Sequence, residues 1–221
     1  MHKIVNNLLS IQNRIKLKSK ELNILNYSPN IIAVSKTFSI DHISPLINHG
    51  HVHFGENKVQ EALIKWENIK QDFNKIKLHM VGKLQSNKVK HAISLFDYIH
   101  SLDNLKLAEK IAQEELKQNK KIKIFIQVNI GDEIQKSGIE ANKVEDFYRI
   151  CSKNLGLNIV GLMCLPPNNN NVELYFSKML NLRKKINLKD LSMGMSEDYI
   201  KAIHYEASYL RIGSKIFGDR S

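Results

Sequence analysis

Cysteine is scarce in this chain, with two in 221 residues, and aromatic side chains make up only 7%. Cys151 falls in a helical pattern and Cys164 in an apolar strand, and neither stands at a metal-ligand spacing. Two such thiols do not build a disulfide framework, so a reducing cytoplasm is the expected location. The low aromatic content leaves few stacking platforms for single-stranded nucleic acid. Long apolar runs are missing too. No stretch could span a bilayer and no signal-peptide pattern opens the chain, so no membrane role is expected.

Acidic residues are in deficit: 22 Asp and Glu stand against 33 Lys and Arg, a net charge of +11. Such an excess raises nucleic acid as a partner. The lysines, however, are spread along the whole chain in company with asparagine and isoleucine. Their densest run, at 117–123, lies between a helix end and a strand, where solvated lysines are ordinary. We read a drift in composition, with nucleic acid not a primary partner.

A hydrophobic fraction of 43% can build a sizeable core. The length fits one domain, 1–221. Residues 1–28 open it: Ile4, Leu8, Ile11, Ile15 and Leu22 keep a helical period beyond the length of a cleavable leader, and predict a helix packed on the rest.

From residue 31 onward, short apolar strands alternate with helical patterns. Strands are predicted at 31–35, 51–54, 78–81, 98–101, 123–129, 158–165, 191–195 and 210–213. Helices are predicted at 41–48, 57–70, 87–95, 104–119, 142–153, 172–186 and 197–206, with entry signals at Asp41, Asp103 and Ser196. About eight β/α units fit a single-domain (β/α)8 TIM-type barrel with an extra N-terminal helix better than an open sheet. In such barrels chemistry gathers at the C-terminal ends of the strands. Those ends carry Lys36, Gly55-Glu56-Asn57, Gly82 to Asn87, Asn129, Lys136-Ser137-Gly138, Met163 to Pro166, Gly194-Met195-Ser196 and Arg211 to Ser214.

Lys36 closes the run Ile31-Ile32-Ala33-Val34-Ser35. A lysine where a buried strand surfaces has a low-dielectric floor beneath it, which favours the neutral amine and attack on a carbonyl such as an aldehyde. The plain alternative is a lysine that reaches to solvent from a strand end. Met193-Gly194-Met195-Ser196 leads into a predicted helix whose first N–H groups suit an anion, and Gly213-Ser214 adds small residues that let amides approach a ligand. Ser196 serves equally as a helix cap. Arg211 interrupts an apolar strand and should point into the barrel mouth, where it needs a partner: a pyridine nitrogen, or a carboxylate such as Glu56. His49, His51 and His53 alternate, but no carboxylate joins them at a recognisable spacing, and no metal site is expected.

Taken together, these segments resemble a known family. Ala33-Val34-Ser35-Lys36-Thr37, His53-Phe54-Gly55-Glu56-Asn57, Gly82 with Leu84-Gln85-Ser86-Asn87-Lys88, and Gln127-Val128-Asn129 with Lys136-Ser137-Gly138 carry the likeness. So do Gly161-Leu162-Met163 with Pro166-Pro167, Leu191 to Ser196, and Arg211-Ile212-Gly213 with Ile216-Phe217-Gly218. In this order, from about residue 31 to residue 220, they resemble the pyridoxal phosphate homeostasis proteins of the YggS/PROSC-like family. The resemblance implies an alanine-racemase-type barrel that binds pyridoxal 5'-phosphate as a Schiff base on Lys36. It places Ser196, Gly213 and Ser214 around the phosphate, Arg211 at the ring nitrogen, and Asn57 and Met163 in the pocket wall. It also implies a carrier or buffer of the cofactor that supports vitamin B6 balance, with apo-enzymes that use the cofactor as partners. Ser39, Lys58 and Lys83 depart from the family pattern and alter the polarity of the pocket rim.

The enzymatic alternative is an amino-acid racemase, which needs a base on each face of the substrate adduct. Its relatives recruit the second base from an additional domain and a partner subunit. This chain ends at Ser221, just after the last barrel turn, so a non-catalytic protein with no catalytic residues is expected. Nothing marks an extended apolar interface, which favours a monomer. Lys136 is expected to approach the mouth.

Overall fold

Isoleucine and valine dominate the strand segments, and branched side chains suit a pleated surface packed on both faces. In the computed structural model, which describes residues 2–218 except 25, 132, 134–136, 168 and 170, these segments form one parallel sheet. Its strands are β1 (Asn30–Val34), β2 (His53–Glu56), β3 (Lys77–Met80), β4 (Tyr98–Leu102), β5 (Lys123–Asn129), β6 (Ile139–Glu140), β7 (Ile159–Cys164), β8 (Asp190–Met195) and β9 (Tyr209–Ile212). Hydrogen bonding runs in the order β4-β3-β2-β1-β9-β8-β7-β5, and β4 pairs with β5 to close the ring. The two-residue β6 only extends β5 at its far end. Eight strands thus make the expected barrel.

Residues along each strand alternate between two cores. Ile32, Val34, Tyr98, Phe125, Met163 and Tyr209 fill the barrel interior. Ile31, Ala33, Phe54, Leu78, Ile99 and Leu210 face outward against the helices. These helices are α1 (Lys3–Glu21), α2 (Ile40–Asn48), α3 (Val59–Asp72), α4 (Val89–Leu95), α5 (Leu105–Lys117), α6 (Val144–Arg149), α7 (Val172–Lys185), α8 (Tyr199–Ile203) and α9 (Ser214–Phe217). Along α1, Ile4, Leu8, Ile11 and Ile15 are buried against α2, α8 and α9, and Asn7 Nδ2 donates to the Ile216 carbonyl at 2.9 Å. Lys18 and Lys20 in the last turn suit the negative end of its dipole.

Four local expectations need correction. The helix at 197–206 shrinks to α8, because the Asp198 carboxylate accepts from Met195 N at 2.6 Å and holds 196–198 as a turn. The helix at 142–153 is α6 followed by a π-turn at Ile150–Asn154, where Leu155 N donates to the Ile150 carbonyl. The residue before α5 is Asn104, not Asp103, and Asn104 Oδ1 accepts from Leu107 N; Ser39, not Asp41, precedes α2.

Candidate functional site

The C-terminal ends of the strands open on a cavity of about 890 Å³. Lys36, Asn57, Gly82, Ser196, Arg211, Gly213 and Ser214 line it, beside the apolar Val34, Phe38, Val81 and Leu165. Six of the seven residues singled out from the sequence therefore meet in one place. Met163 does not line it. It is fully buried in the barrel interior with Ile32, Val34 and Phe125, a layer below, because the strand alternation turns it inward before β7 reaches the mouth. Lys136 lies outside the described residues.

Lys36 continues the inward register of Ile32 and Val34, two residues past the end of β1. The backbone turns sharply after it: Thr37 has φ 71°, a left-handed conformation unusual for a β-branched residue. A buried latch fixes the preceding residue. Ser35 N donates to the Gly55 carbonyl at 2.9 Å, and Ser35 Oγ donates to Glu56 Oε1 at 2.7 Å. Lys65 Nζ donates to the Ser35 carbonyl and to Glu56 Oε1, both at 2.9 Å, and Trp66 Nε1 donates to the same oxygen at 3.0 Å. Glu56 thus faces α3, outside the barrel, and is not the partner of Arg211. Sequence reasoning missed this latch, whose one visible trace was a glutamate in a buried strand.

Arg211 is 4% exposed. One terminal nitrogen donates to Ser192 Oγ at 2.6 Å and the other to the Cys164 carbonyl at 2.8 Å. These bonds pin the guanidinium at the cavity floor and leave further N–H groups for a ligand. Burial pushes the neighbouring Cys164 thiol up to about 12, so it is no nucleophile.

Ser196 does not cap α8, which starts three residues later with Asp198 before it. Its hydroxyl oxygen instead accepts from Gly213 N at 3.3 Å and Lys215 N at 3.4 Å, at the start of α9. Two backbone amides thus converge on one oxygen, and Ser196 keeps its own hydrogen to give. Across the mouth, Gly82 packs so closely on Asn57 that a β-carbon there would stand 2.3 Å from the Asn57 carbonyl oxygen. Asn57 Oδ1 is buried with no hydrogen-bond partner in the described structure. A buried polar atom on a cavity wall is a place for a polar ligand group.

The residues fit a small phosphorylated aldehyde: the Ser196 hydroxyl beside Gly213 and Ser214 for an anion, an amine, a fixed cation and an orphaned amide oxygen around one concave space. Comparison with known proteins agrees with this chemistry. The family model for the alanine racemase N-terminal domain matches residues 7–221. A pyridoxal phosphate homeostasis protein from Aquifex aeolicus is 36% identical over 199 residues, 86% of either chain. PipY of Synechococcus elongatus, solved with PLP bound, is 31% identical with a TM-score of 0.78, over 92% of this chain and 100% of that one. An alanine racemase from Clostridium difficile shares the fold at 14% identity and a TM-score of 0.73, over 99% of this chain and 57% of its own. On these matches, which run along nearly its whole length, the chain belongs to the pyridoxal phosphate homeostasis proteins, built on the fold of the alanine racemase N-terminal domain.

Proposed function

We propose that this chain carries and buffers pyridoxal 5'-phosphate, held as a Schiff base on Lys36, and does not turn over substrates. The observation that carries the reading is the convergence of Lys36, Arg211, Asn57, Ser196, Gly213 and Ser214 on one cavity. The cofactor supplies an aldehyde that condenses with an amine and loses one water. Lys36 offers the amine from a strand end held by the Ser35–Glu56–Lys65 latch. Ser196 gives its hydroxyl hydrogen to the phosphate, and Gly213, Ser214 and the amides that open α9 surround it. Arg211 donates to the ring nitrogen, and Asn57 meets a ring substituent. Met163 supports the floor.

Two features support a carrier over an enzyme. A guanidinium that donates a hydrogen bond without giving up its proton would leave the ring nitrogen unprotonated, and so a weak electron sink. Among the described lining residues, the carboxylates are Glu197 and Asp198. The Glu197 side chain is 86% exposed, and Asp198 already accepts from Met195 N. A solvent-exposed carboxylate and one already engaged with the backbone are poor candidates for a dedicated base. The same reading treats residues 1–221 as one domain with 1–28 docked on the barrel. It makes the protein a cytoplasmic, monomeric keeper of vitamin B6 balance that hands cofactor to apo-enzymes.

The test incubates the loaded protein with single L-amino acids and follows chiral composition and keto-acid formation. No turnover is expected, together with transfer of cofactor to an apo-enzyme faster than free release explains. Turnover that depends on Lys36 would overturn the carrier reading in favour of a racemase-like enzyme.

A further inference from the structure

Three histidines inside the barrel take no part in the site described above. They come from neighbouring strands: His53 on β2, His79 on β3 and His100 on β4. Nδ1 of His53 lies 2.9 Å from Nε2 of His79, and Nδ1 of His79 lies 2.9 Å from Nε2 of His100. Nδ1 of His100 lies 2.9 Å from Ser192 Oγ, the oxygen that accepts from Arg211. The column therefore starts at Ser192, beneath the cavity floor that Arg211 forms, and crosses the barrel. Its far end opens on a second cavity, of about 650 Å³, beneath α1, whose wall includes His53.

Aromatic rings hold the column in place. Tyr98 stacks on His79 with ring centres 4.2 Å apart, and Phe125 stacks on His100 at 4.3 Å. Both imidazoles are fully buried, and burial followed by the neighbouring charges keeps them neutral. A neutral imidazole donates through one nitrogen and accepts through the other. A guanidinium only donates, so Ser192 accepts from Arg211; among the described residues His100 Nδ1 is the one acceptor beside its hydroxyl, and we assign the Ser192 hydrogen to that nitrogen. His100 then carries hydrogen on Nε2 and donates to His79, and His79 does the same to His53. On this assignment all three histidines share the Nε2–H tautomer, and every bond points away from the mouth.

We propose that His100, His79 and His53, acting through Ser192, are positioning residues for Arg211. Each bond polarises the next, which strengthens Ser192 as the acceptor that fixes the guanidinium. The geometry concerns the protein alone; its consequence for cofactor rests on the function proposed above.

The experiment has two arms. In the first, ¹⁵N NMR of the cofactor-free protein reads the ring nitrogens, and all three histidines are expected as the Nε2–H tautomer. Ser192→Ala removes the link to Arg211 and should shift His79 signals as well as those of His100. An Nδ1–H tautomer at His79 or His100, or a Ser192→Ala effect confined to His100, overturns the proposal. In the second arm, His79 is replaced and pyridoxal 5'-phosphate binding is followed by absorbance. His79→Asn keeps an acceptor for His100 and should bind within about twofold of wild type. His79→Leu strands the His100 N–H and should weaken binding about tenfold, the order of one lost hydrogen bond, and move the visible band. Wild-type affinity and spectrum in both variants overturn the proposal. If His79→Leu does not fold, the tautomers and Ser192→Ala still decide it. Failure of the wild type to bind cofactor, with the tautomers as expected, rejects the proposed function and leaves the column standing.

Discussion

Glu56 shows how a single side chain away from the cavity sets up the one inside it. Its Oε1 gathers three donors, from Ser35, Lys65 and Trp66, at 2.7 to 3.0 Å. The Glu56 side chain is 0% exposed and that of Lys65 12%, so the pair is desolvated on both sides. Removing one partner of a buried pair leaves the other charge uncompensated. Glu56→Gln should therefore cost about 3 kcal/mol, read as a lower urea midpoint at unchanged slope. It should also weaken cofactor retention, because Ser35 directly precedes Lys36. A midpoint equal to wild type would mean that the latch contributes little. Lys36 itself was legible in the sequence, since an apolar run ending in lysine marks a strand end. The latch was not, because Lys65 and Trp66 reach Glu56 from the next helix, a contact that depends on how α3 packs on β2.

At the scale of elements, the barrel order was legible and the fine boundaries were not. The eight strands fall within a few residues of their expected places, because branched apolar runs have few alternative conformations. Ser196 was misplaced as a helix cap. Asp198 competes for the nearby Met195 N–H, closes a turn there, and frees Ser196 to face Gly213 and Lys215. Nor did the spacing of His53, His79 and His100 betray their column; parallel strands some twenty residues apart bring them into register only in three dimensions. Helix α1 was readable from its period. Leu8 on its inner face is 1% exposed. Leu8→Ala should cost about 2–5 kcal/mol by thermal or urea unfolding, the usual range for a buried leucine. A cost under about 1 kcal/mol, typical of surface substitutions, would show that α1 is only loosely attached.

For the whole molecule, the histidines tie stability to pH. In the folded state His51 and His53 are pushed down to about 4 from the usual 6.5, mainly by burial. His79 and His100 are held well below 6.5 for the same reason. Between pH 6.5 and 4 the unfolded chain thus binds more protons than the folded one, and stability rises with pH across that window. The contribution is complete above 6.5 and is lost as pH falls toward 4, with the loss from His79 and His100 continuing lower. The unfolding midpoint should be level above about pH 7 and drop steeply below 6.5. His79→Asn should flatten the drop. An equal slope in that variant would place the pH dependence elsewhere.

Covalent attachment of pyridoxal 5'-phosphate to Lys36, at the mouth of this barrel, is the proposal on which the others depend. Its most direct test is borohydride reduction of the loaded protein, followed by peptide mass analysis. One dominant pyridoxyl group, on Lys36, is expected, together with loss of the visible absorbance band in Lys36→Ala. Label spread evenly over surface lysines, or an unchanged band in Lys36→Ala, would contradict it.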